Sequence, residues 1–188
     1  MDSIHEVVVE TTLENLQAAY NGESNAHACY LAFASKADAD GFAPVASLFR
    51  AAARAEERHA HNHAEVIHKL GATPVAIIAP ASLKSTRENL QSAVEGETYE
   101  RDVMYPNFIA KAKQDGQSDA VRTFQLALAV EVEHAQLYAE ALKNLETLRG
   151  TKPVTYYVCP FCGSTSSKAD FDLCPVCSTP SEEFEEIR

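Results

Sequence analysis

The sequence predicts an all-α bundle of four long helices, followed by a small domain that a metal ion holds together. Three observations predict this architecture: four segments with helical periodicity, two Glu-x-x-His motifs within them, and two Cys-x-x-Cys motifs near the end. The chain has 188 residues, of which 46% are hydrophobic. This is the composition of a globular protein with room for one medium domain and one small domain.

Each of the four helical segments places apolar residues three and four positions apart, so that they share one face. The segments cover residues 11–39, 43–70, 86–115 and 117–148. Thr12 followed by Asn15 gives a weak start signal for the first helix. Pro106 lies inside the third segment, where the loss of a backbone hydrogen bond predicts a kink near Arg101 and Asp102.

Residues 71–85 lack helical periodicity and contain two prolines, which predicts a crossover connection between the two halves of the bundle. After the fourth helix, residues 149–154 end the helical pattern and are typical of a linker. We therefore predict a bundle domain over residues 1–148 and a small domain over residues 155–188.

The formal net charge of −11 argues against nucleic acid and against an anionic membrane surface as partners. The first six residues lack the basic and apolar regions of a secretory signal, and the longest uncharged run, Gly71 to Leu83, is too short to span a membrane. Five cysteines fit a reducing compartment better as one free thiol and four metal ligands than as disulfides. We therefore expect a cytoplasmic protein.

The two Glu-x-x-His motifs lie on the second and fourth helices, and each places a carboxylate and an imidazole on the same face. The other two helices each contribute a glutamate that follows a glycine. The six residues are Glu23, Glu56, His59, Glu97, Glu131 and His134. This is the ligand pattern of a ferritin-like di-iron site. Two cations held close together need carboxylates to bridge them and to cancel their charge, and imidazoles as terminal ligands.

Solvated helix charges are the alternative interpretation of these residues. It suits Glu57 and Glu133, which neighbour the motifs, but six buried and unpaired groups would cost far more than the net stability of a domain. Three further histidines of the second helix are interpreted as surface residues rather than as ligands of a third metal: His61, His63 and His68. Cys29 lies among apolar residues and is predicted to be a buried free thiol.

Four cysteines form the two Cys-x-x-Cys motifs of the small domain: Cys159, Cys162, Cys174 and Cys177. Four thiolates at this spacing bind one tetrahedral ion, and the pattern by itself suggests a zinc ribbon at least as strongly as an iron site. So small a domain has little core, so the metal is expected to hold it folded. The acidic end of the chain, which includes Glu185, is interpreted as solvated, or as a surface for a basic electron donor.

Glu100 stands one helical turn after Glu97, and with this extra glutamate the sequence resembles the rubrerythrins over nearly its whole length. The motifs that carry the resemblance are Gly-Glu-Ser-Asn-Ala, Glu-x-x-His-Ala, Gly-Glu-x-x-Glu followed by Met104-Tyr105-Pro106, and the second Glu-x-x-His. The four-cysteine region is similar to the rubredoxin-like domain of that family. It departs from the usual pattern at Ser178, where a glycine is typical, so zinc stays possible there beside iron.

The resemblance implies a di-iron site in the bundle and one iron at the four cysteines. It implies that one iron exchanges His59 for Glu100 as its oxidation state changes. It also implies that Tyr30 and Tyr105 donate hydrogen bonds to carboxylate ligands, although core tyrosines would fit the same positions.

The function that the resemblance implies is the reduction of hydrogen peroxide to water in defence against oxidative stress. Electrons would enter the four-cysteine iron from rubredoxin or from an NAD(P)H-dependent reductase, and would pass to the di-iron site. The resemblance further implies a homodimer in which the small domain of the partner faces each bundle. Two alternatives stay open: a ferroxidase or oxygen-reducing iron protein, and a metal-binding regulatory protein with zinc in the C-terminal site.

Overall fold

The computed structural model of the protein describes residues 11–188. The first residues of the predicted bundle domain, including those examined for a secretory signal, lie outside this range. The helices are α1 (Thr12–Ala39), α2 (Ala43–Lys69), α3 (Thr86–Tyr99), α4 (Tyr105–Gln114), α5 (Ser118–Lys143) and α6 (Leu145–Leu148). The prediction of an all-α ferritin-like bundle is confirmed. Within residues 11–188 no helix combines the length and the apolar character that crossing a membrane requires.

Two helices begin with the same reciprocal hydrogen bonds between a hydroxyl and a glutamate. At α1 the Thr11 hydroxyl accepts from the backbone N–H of Glu14, whose carboxylate accepts from the backbone N–H of Thr11. Ser85 and Glu88 repeat this arrangement at α3. These bonds satisfy backbone donors that a helix start leaves free. The start signal predicted from Thr12 was therefore wrong by one residue, since Thr11 is the cap.

Two aspartates tie the two helix pairs of the bundle together. Asp40 follows α1, and its Oδ2 accepts from the hydroxyl of Thr86, at the start of α3, at 2.7 Å. Asp115 follows α4, and its Oδ2 accepts from the hydroxyl of Thr12, at the start of α1, also at 2.7 Å. Both aspartates also accept the backbone N–H of the same threonine. The two bonds repeat each other across the bundle, as expected of two related helix pairs.

The irregular part of the third helix is a π-helical turn over Glu100–Met104 that connects α3 to α4. The backbone N–H of Tyr105 donates to the carbonyl of Glu100, five residues back. Pro106 then lies in the first turn of α4. The π-helical turn covers Arg101 and Asp102, where the sequence predicted an irregularity, and it begins at Glu100.

The crossover connection between α2 and α3 runs along α1. Side-chain amides of Gln17, Asn21 and Asn25, one per helical turn, accept its backbone N–H groups. This pairing satisfies the backbone of a segment that has no helix or strand of its own. Apolar side chains of the segment point outward, and Ile77 is 79% exposed.

Apolar and aromatic clusters pack on both sides of the middle of the bundle. One includes Tyr30, Phe49 and Tyr138, whose rings lie 5.2 to 5.8 Å apart between centroids. The other includes Tyr105 and Phe124. The space between the two clusters holds the polar residues of the candidate site.

The small domain is an antiparallel sheet with β1 (Tyr156–Val158) between β2 (Thr165–Ser166) and β3 (Glu185–Ile187). It packs on α2 and α5 of its own chain, whereas the resemblance implied that it faces a partner's bundle. The linker folds back because the N–H of Gly150 donates to the carbonyl of Gly41 at 2.8 Å. Arg54 of α2 donates to both carboxylate oxygens of Glu185 at 2.6 Å, so Glu185 is an interdomain residue and not a solvated one. The dimer itself stays a prediction.

We predict that Asp40→Ala and Asp115→Ala each lower the free energy of unfolding by about 1 kcal/mol, because each leaves a helix start without its acceptor. Asp→Asn at either position should lose less, since an amide oxygen still accepts. Denaturant titration followed by circular dichroism measures the change.

Asp38→Ala is the matched control for these variants. Asp38 lies in the same turn as Asp40 but pairs with Arg50 at the surface, so its loss should change stability by less than about 0.5 kcal/mol. Equal effects at Asp38 and Asp40 would contradict the capping role.

Candidate metal centre

Four helices bring six ionisable side chains together in the middle of the bundle, and none of the six is more than 1% exposed. Their ligand atoms form two groups of four, each with all atoms within 4.8 Å of one another. The first group is Glu23, Glu56, His59 and Glu131; the second is Glu56, Glu97, Glu131 and His134. Because Glu56 and Glu131 belong to both groups, they occupy the positions of bridging carboxylates. These are the six residues that the motifs predicted as ligands.

Several atoms of the two groups converge on common spaces without hydrogen-bonding one another, although His134 Nδ1 does lie in hydrogen-bond contact with Glu131 Oε2 at 3.1 Å. His59 Nδ1 lies 2.9 Å from an oxygen of Glu56 and 2.9 Å from an oxygen of Glu131. Neither His59 Nδ1 nor either oxygen of Glu56 has a partner with hydrogen-bond geometry within the described chain. Buried polar atoms without partners are rare in folded proteins, and lone pairs that converge in this way fit a shared cation.

The small domain orients both imidazoles from outside the bundle. His59 Nε2 lies 3.0 Å from the carbonyl oxygen of Cys162 and donates to it. His134 Nε2 lies 3.3 Å from the hydroxyl of Thr165, which itself donates to the carbonyl of Gly163. With the proton on Nε2, each ring turns the lone pair of Nδ1 towards the carboxylates, as a metal ligand requires.

A tyrosine lies on each side of the carboxylate cluster and donates a hydrogen bond to it. The hydroxyl of Tyr30 donates to Glu97 Oε1 at 2.5 Å, and the hydroxyl of Tyr105 donates to Glu23 Oε1. In each glutamate the second oxygen has no hydrogen-bond partner within the described chain. A tyrosine therefore holds one oxygen of each outer glutamate and leaves the other oxygen available.

Glu100 lies beside the ligand groups and belongs to neither of them. It is half-buried, at the first residue of the π-helical turn, whereas Glu97 is buried. Burial, followed by the charge of Glu100, raises the pKa of Glu23 well above its ordinary value, and burial followed by neighbouring carboxylates that include Glu100 does the same to the pKa of Glu97. In this structure His59 completes the first group and Glu100 lies outside both groups.

Two polar residues have surroundings that the sequence did not predict. His63, interpreted as a surface residue, is fully buried beside Tyr105, while His61 and His68 are exposed. Its position one turn after His59 on the ligand face was the available signal. Glu133, interpreted as solvated, is half-buried and accepts from the hydroxyl of Ser164 and the N–H of Thr165. No sequence signal pointed to Glu133, because its partners lie in the other domain.

The four sulfur atoms of the small domain also form a single group within 4.8 Å, and none is in a disulfide. In both Cys-x-x-Cys loops the residue after the second cysteine has a positive φ, +84° at Gly163 and +66° at Ser178. The backbone N–H of each donates to the carbonyl of the first cysteine of its loop. Ser178 thus adopts the backbone conformation for which the usual pattern has glycine. Cys29 is a free thiol, half-buried rather than buried.

We predict that the metal-free protein loses stability as pH rises from about 5 to about 9. Six buried or half-buried groups of the bundle have a raised pKa and so hold protons that the unfolded chain has released: Glu23, Glu97, Glu100, Glu133, His59 and His134. They outnumber His63, whose lowered pKa of about 3 acts in the opposite direction below about pH 6.5. Burial raises the glutamate values, and carboxylates outweigh burial at the histidines, bringing His134 to about 10. Because the folded state binds more protons, its stability falls with pH.

Two measurements check this prediction. Urea unfolding of the chelator-treated protein should show a falling midpoint between about pH 5 and pH 9, and adding a divalent metal to weakly buffered protein should release protons. Stability that rises with pH across this range would contradict it. The lowered pKa values of Glu56 and Glu131 act only in stronger acid, since both are ionised in either state above about pH 5.

Comparison with known proteins agrees with this geometry. The Rubrerythrin family model matches residues 14–142. Nigerythrin of Nitratidesulfovibrio vulgaris is 38% identical over 178 residues, which cover 94% of this chain and 86% of the relative. Rubrerythrin-2 of Clostridium acetobutylicum is 34% identical over 176 residues, which cover 93% of this chain and 95% of the relative.

Solved structures agree with the sequence relatives. Nigerythrin in its fully reduced, all-ferrous state superposes with a TM-score of 0.87 at 36% identity, covering 99% of this chain and 91% of that one. A bacterioferritin from Desulfovibrio desulfuricans, at 22% identity and a TM-score of 0.69, covers 75% of this chain and 88% of its own, and shares the ferritin-like fold. The chain therefore belongs to the rubrerythrin family, with a di-iron site in its bundle and a rubredoxin-like site at its four cysteines.

Proposed function

We propose that the protein is a peroxidase that reduces hydrogen peroxide to water, with electrons delivered through the four-cysteine domain. The balance is H₂O₂ + 2e⁻ + 2H⁺ → 2H₂O. One observation carries the proposal: His59 joins the two metal-binding groups directly. Its Nδ1 lies in the carboxylate group, and its Nε2 donates to the carbonyl of Cys162, a cysteine of the other group. A domain whose task was only structural or regulatory would not need this connection.

The residues of the bundle have distinct proposed roles. Glu56 and Glu131, which both ligand groups share, would be held in common by two irons, with Glu23 and His59 holding one and Glu97 and His134 the other. The iron pair would supply the electrons for cleavage of the peroxide O–O bond. Glu100 is proposed as the ligand that replaces His59 when the site is oxidised, which its position one helical turn after Glu97 and outside both ligand groups supports.

The electron donor is proposed to be a small redox protein such as rubredoxin, or an NAD(P)H-dependent reductase. Donor docking would take place at the small domain, because its four-cysteine group contacts His59 through the carbonyl of Cys162. Reaction with dioxygen, as in a ferroxidase, is the second candidate, because the same carboxylate and histidine set suits it.

The proposal is tested by titrating the fully reduced, metal-assayed protein with peroxide in the absence of oxygen, while following the visible spectrum. We expect rapid oxidation of both centres with about one peroxide consumed per electron pair. Slow oxidation by peroxide with fast oxidation by dioxygen would favour a ferroxidase or oxidase. Zinc at the four cysteines would exclude the electron route through them.

We predict that Gly163→Ala slows the reoxidation of the four-cysteine iron by about tenfold or more. A Cβ at Gly163 would lie 2.9 Å from His59 Nε2, closer than real Cβ contacts, and 3.1 Å from the Cβ of Ala55, which is a tight contact. His59 or the small domain must therefore shift, and the contact between them is disturbed. Stopped-flow absorbance after peroxide is mixed with reduced protein measures the rate.

Gly116→Ala is the control that separates the loss of contact with His59 from the cost of placing an alanine at a positive φ. Gly116 also has a positive φ, +68°, but a Cβ there meets no atom within 4 Å. Both variants share the cost of a left-handed alanine, about 1–2 kcal/mol, and only Gly163→Ala disturbs the contact with His59. If the two variants reoxidise at the same rate, contact between the domain and His59 does not carry the electrons.

A further inference from the structure

His63 is a buried histidine that the proposed function leaves unused. It lies on α2, one turn after His59, and is 0% exposed. Its Nε2 is 3.1 Å from the hydroxyl oxygen of Tyr105, and its Nδ1 is 2.9 Å from the hydroxyl of Thr123 on α5. Tyr105 in turn donates to Glu23. Four buried side chains from four helices thus form one row that ends at a candidate metal ligand.

The directions of these hydrogen bonds follow from Glu23, the member of the row that belongs to a ligand group. A glutamate that binds a cation has no proton to give, so Tyr105 must donate to Glu23 and its oxygen must accept from His63 Nε2. Nδ1 of His63 then carries a lone pair, which accepts from the hydroxyl of Thr123. Burial, followed by the charge of His59, lowers the pKa of His63 to about 3, so the ring is neutral in this arrangement.

Glu23 and Glu97 differ in what lies behind the tyrosine that donates to each of them. Tyr105 has His63 behind it, while Tyr30, which donates to Glu97, has no hydrogen-bonding side chain behind its hydroxyl in the described chain. The nearby hydroxyl of Tyr138 makes no hydrogen bond there either. Glu23 belongs to the group that contains His59. The supported tyrosine therefore serves the half of the site that His59 completes.

We propose that His63 is a positioning residue that, fixed by Thr123, holds the Tyr105 hydroxyl as a hydrogen-bond donor to Glu23. The bond fixes the orientation of the Glu23 carboxylate, whose Oε1 lies 3.9 Å from His59 Nδ1 and whose Oε2 has no hydrogen-bond partner within the described chain. Without His63 the Tyr105 hydroxyl can rotate away, and Glu23 loses this fixed orientation. The inference deepens the proposed function by assigning a residue to the same site.

The test is the affinity of the metal-free protein for Fe²⁺, measured without oxygen by competition with a coloured chelator. His63→Leu removes the donor to Tyr105 and should weaken binding at the bundle by about tenfold or more, the usual effect of losing a partner of a metal ligand. His63→Gln keeps a neutral N–H donor and an acceptor, and should stay within about threefold of the unchanged protein. This rescue separates positioning from general packing.

His61→Leu is the matched control, because His61 is exposed on the same helix and contacts none of these groups. It should leave Fe²⁺ affinity unchanged. In a Tyr105→Phe background, His63→Leu should have no further effect on affinity, since the bond it supports is already gone. Thr123→Val provides a milder variant if His63→Leu does not fold, and should weaken binding less than the loss of His63.

Three results would overturn the inference: unchanged affinity in His63→Leu, equal losses in the Leu and Gln variants, or additive losses in the double variant. Equal losses would mean that the imidazole itself is required. The measurement involves no peroxide, so a failed peroxidase assay and a failed positioning role are distinguishable.

Discussion

The burial of four carboxylates and two imidazoles in the middle of the bundle is the constraint on which the rest of the structure depends. Ionised groups removed from water destabilise a fold by several kcal/mol each unless opposite charge accompanies them. Here carboxylates and imidazoles partly neutralise one another, yet several oxygens face shared spaces without a hydrogen bond. Iron supplies the missing positive charge. The aromatic clusters on either side exclude water, so the charges must be balanced within the cluster.

The small domain belongs to this arrangement and is not an independent appendage. A segment of four residues, 162–165, reaches both imidazoles of the bundle, through the carbonyl of Cys162 and the hydroxyl of Thr165. This close approach is possible because Gly163 between them has no side chain. The same backbone therefore holds a cysteine ligand of one metal site and orients the histidines of the other.

The third helix is irregular beside the site. The π-helical turn begins at Glu100, and turns of this kind often occur at functional sites. Glu97 lies in the regular helix and is buried in the cluster, whereas Glu100 is half-buried and belongs to neither ligand group. Tyr30 holds Glu97 and Tyr105 holds Glu23, and His63 contacts the hydroxyl of Tyr105. Both outer glutamates are thus held by a tyrosine, and the two halves differ in the histidine behind Tyr105.

The sequence by itself determined the four helices, the six ligand positions and the four-cysteine site. These features depend on periodicity and on short spacings, which act within a single helix or loop. Three residues were misjudged because their partners lie far along the chain: His63 contacts Tyr105, Glu133 contacts Thr165, and Glu185 accepts from Arg54. Only the tertiary structure decided which faces meet and that the small domain orients both imidazoles. Packing between distant segments sets these contacts, and the spacing of residues along the chain does not predict such packing.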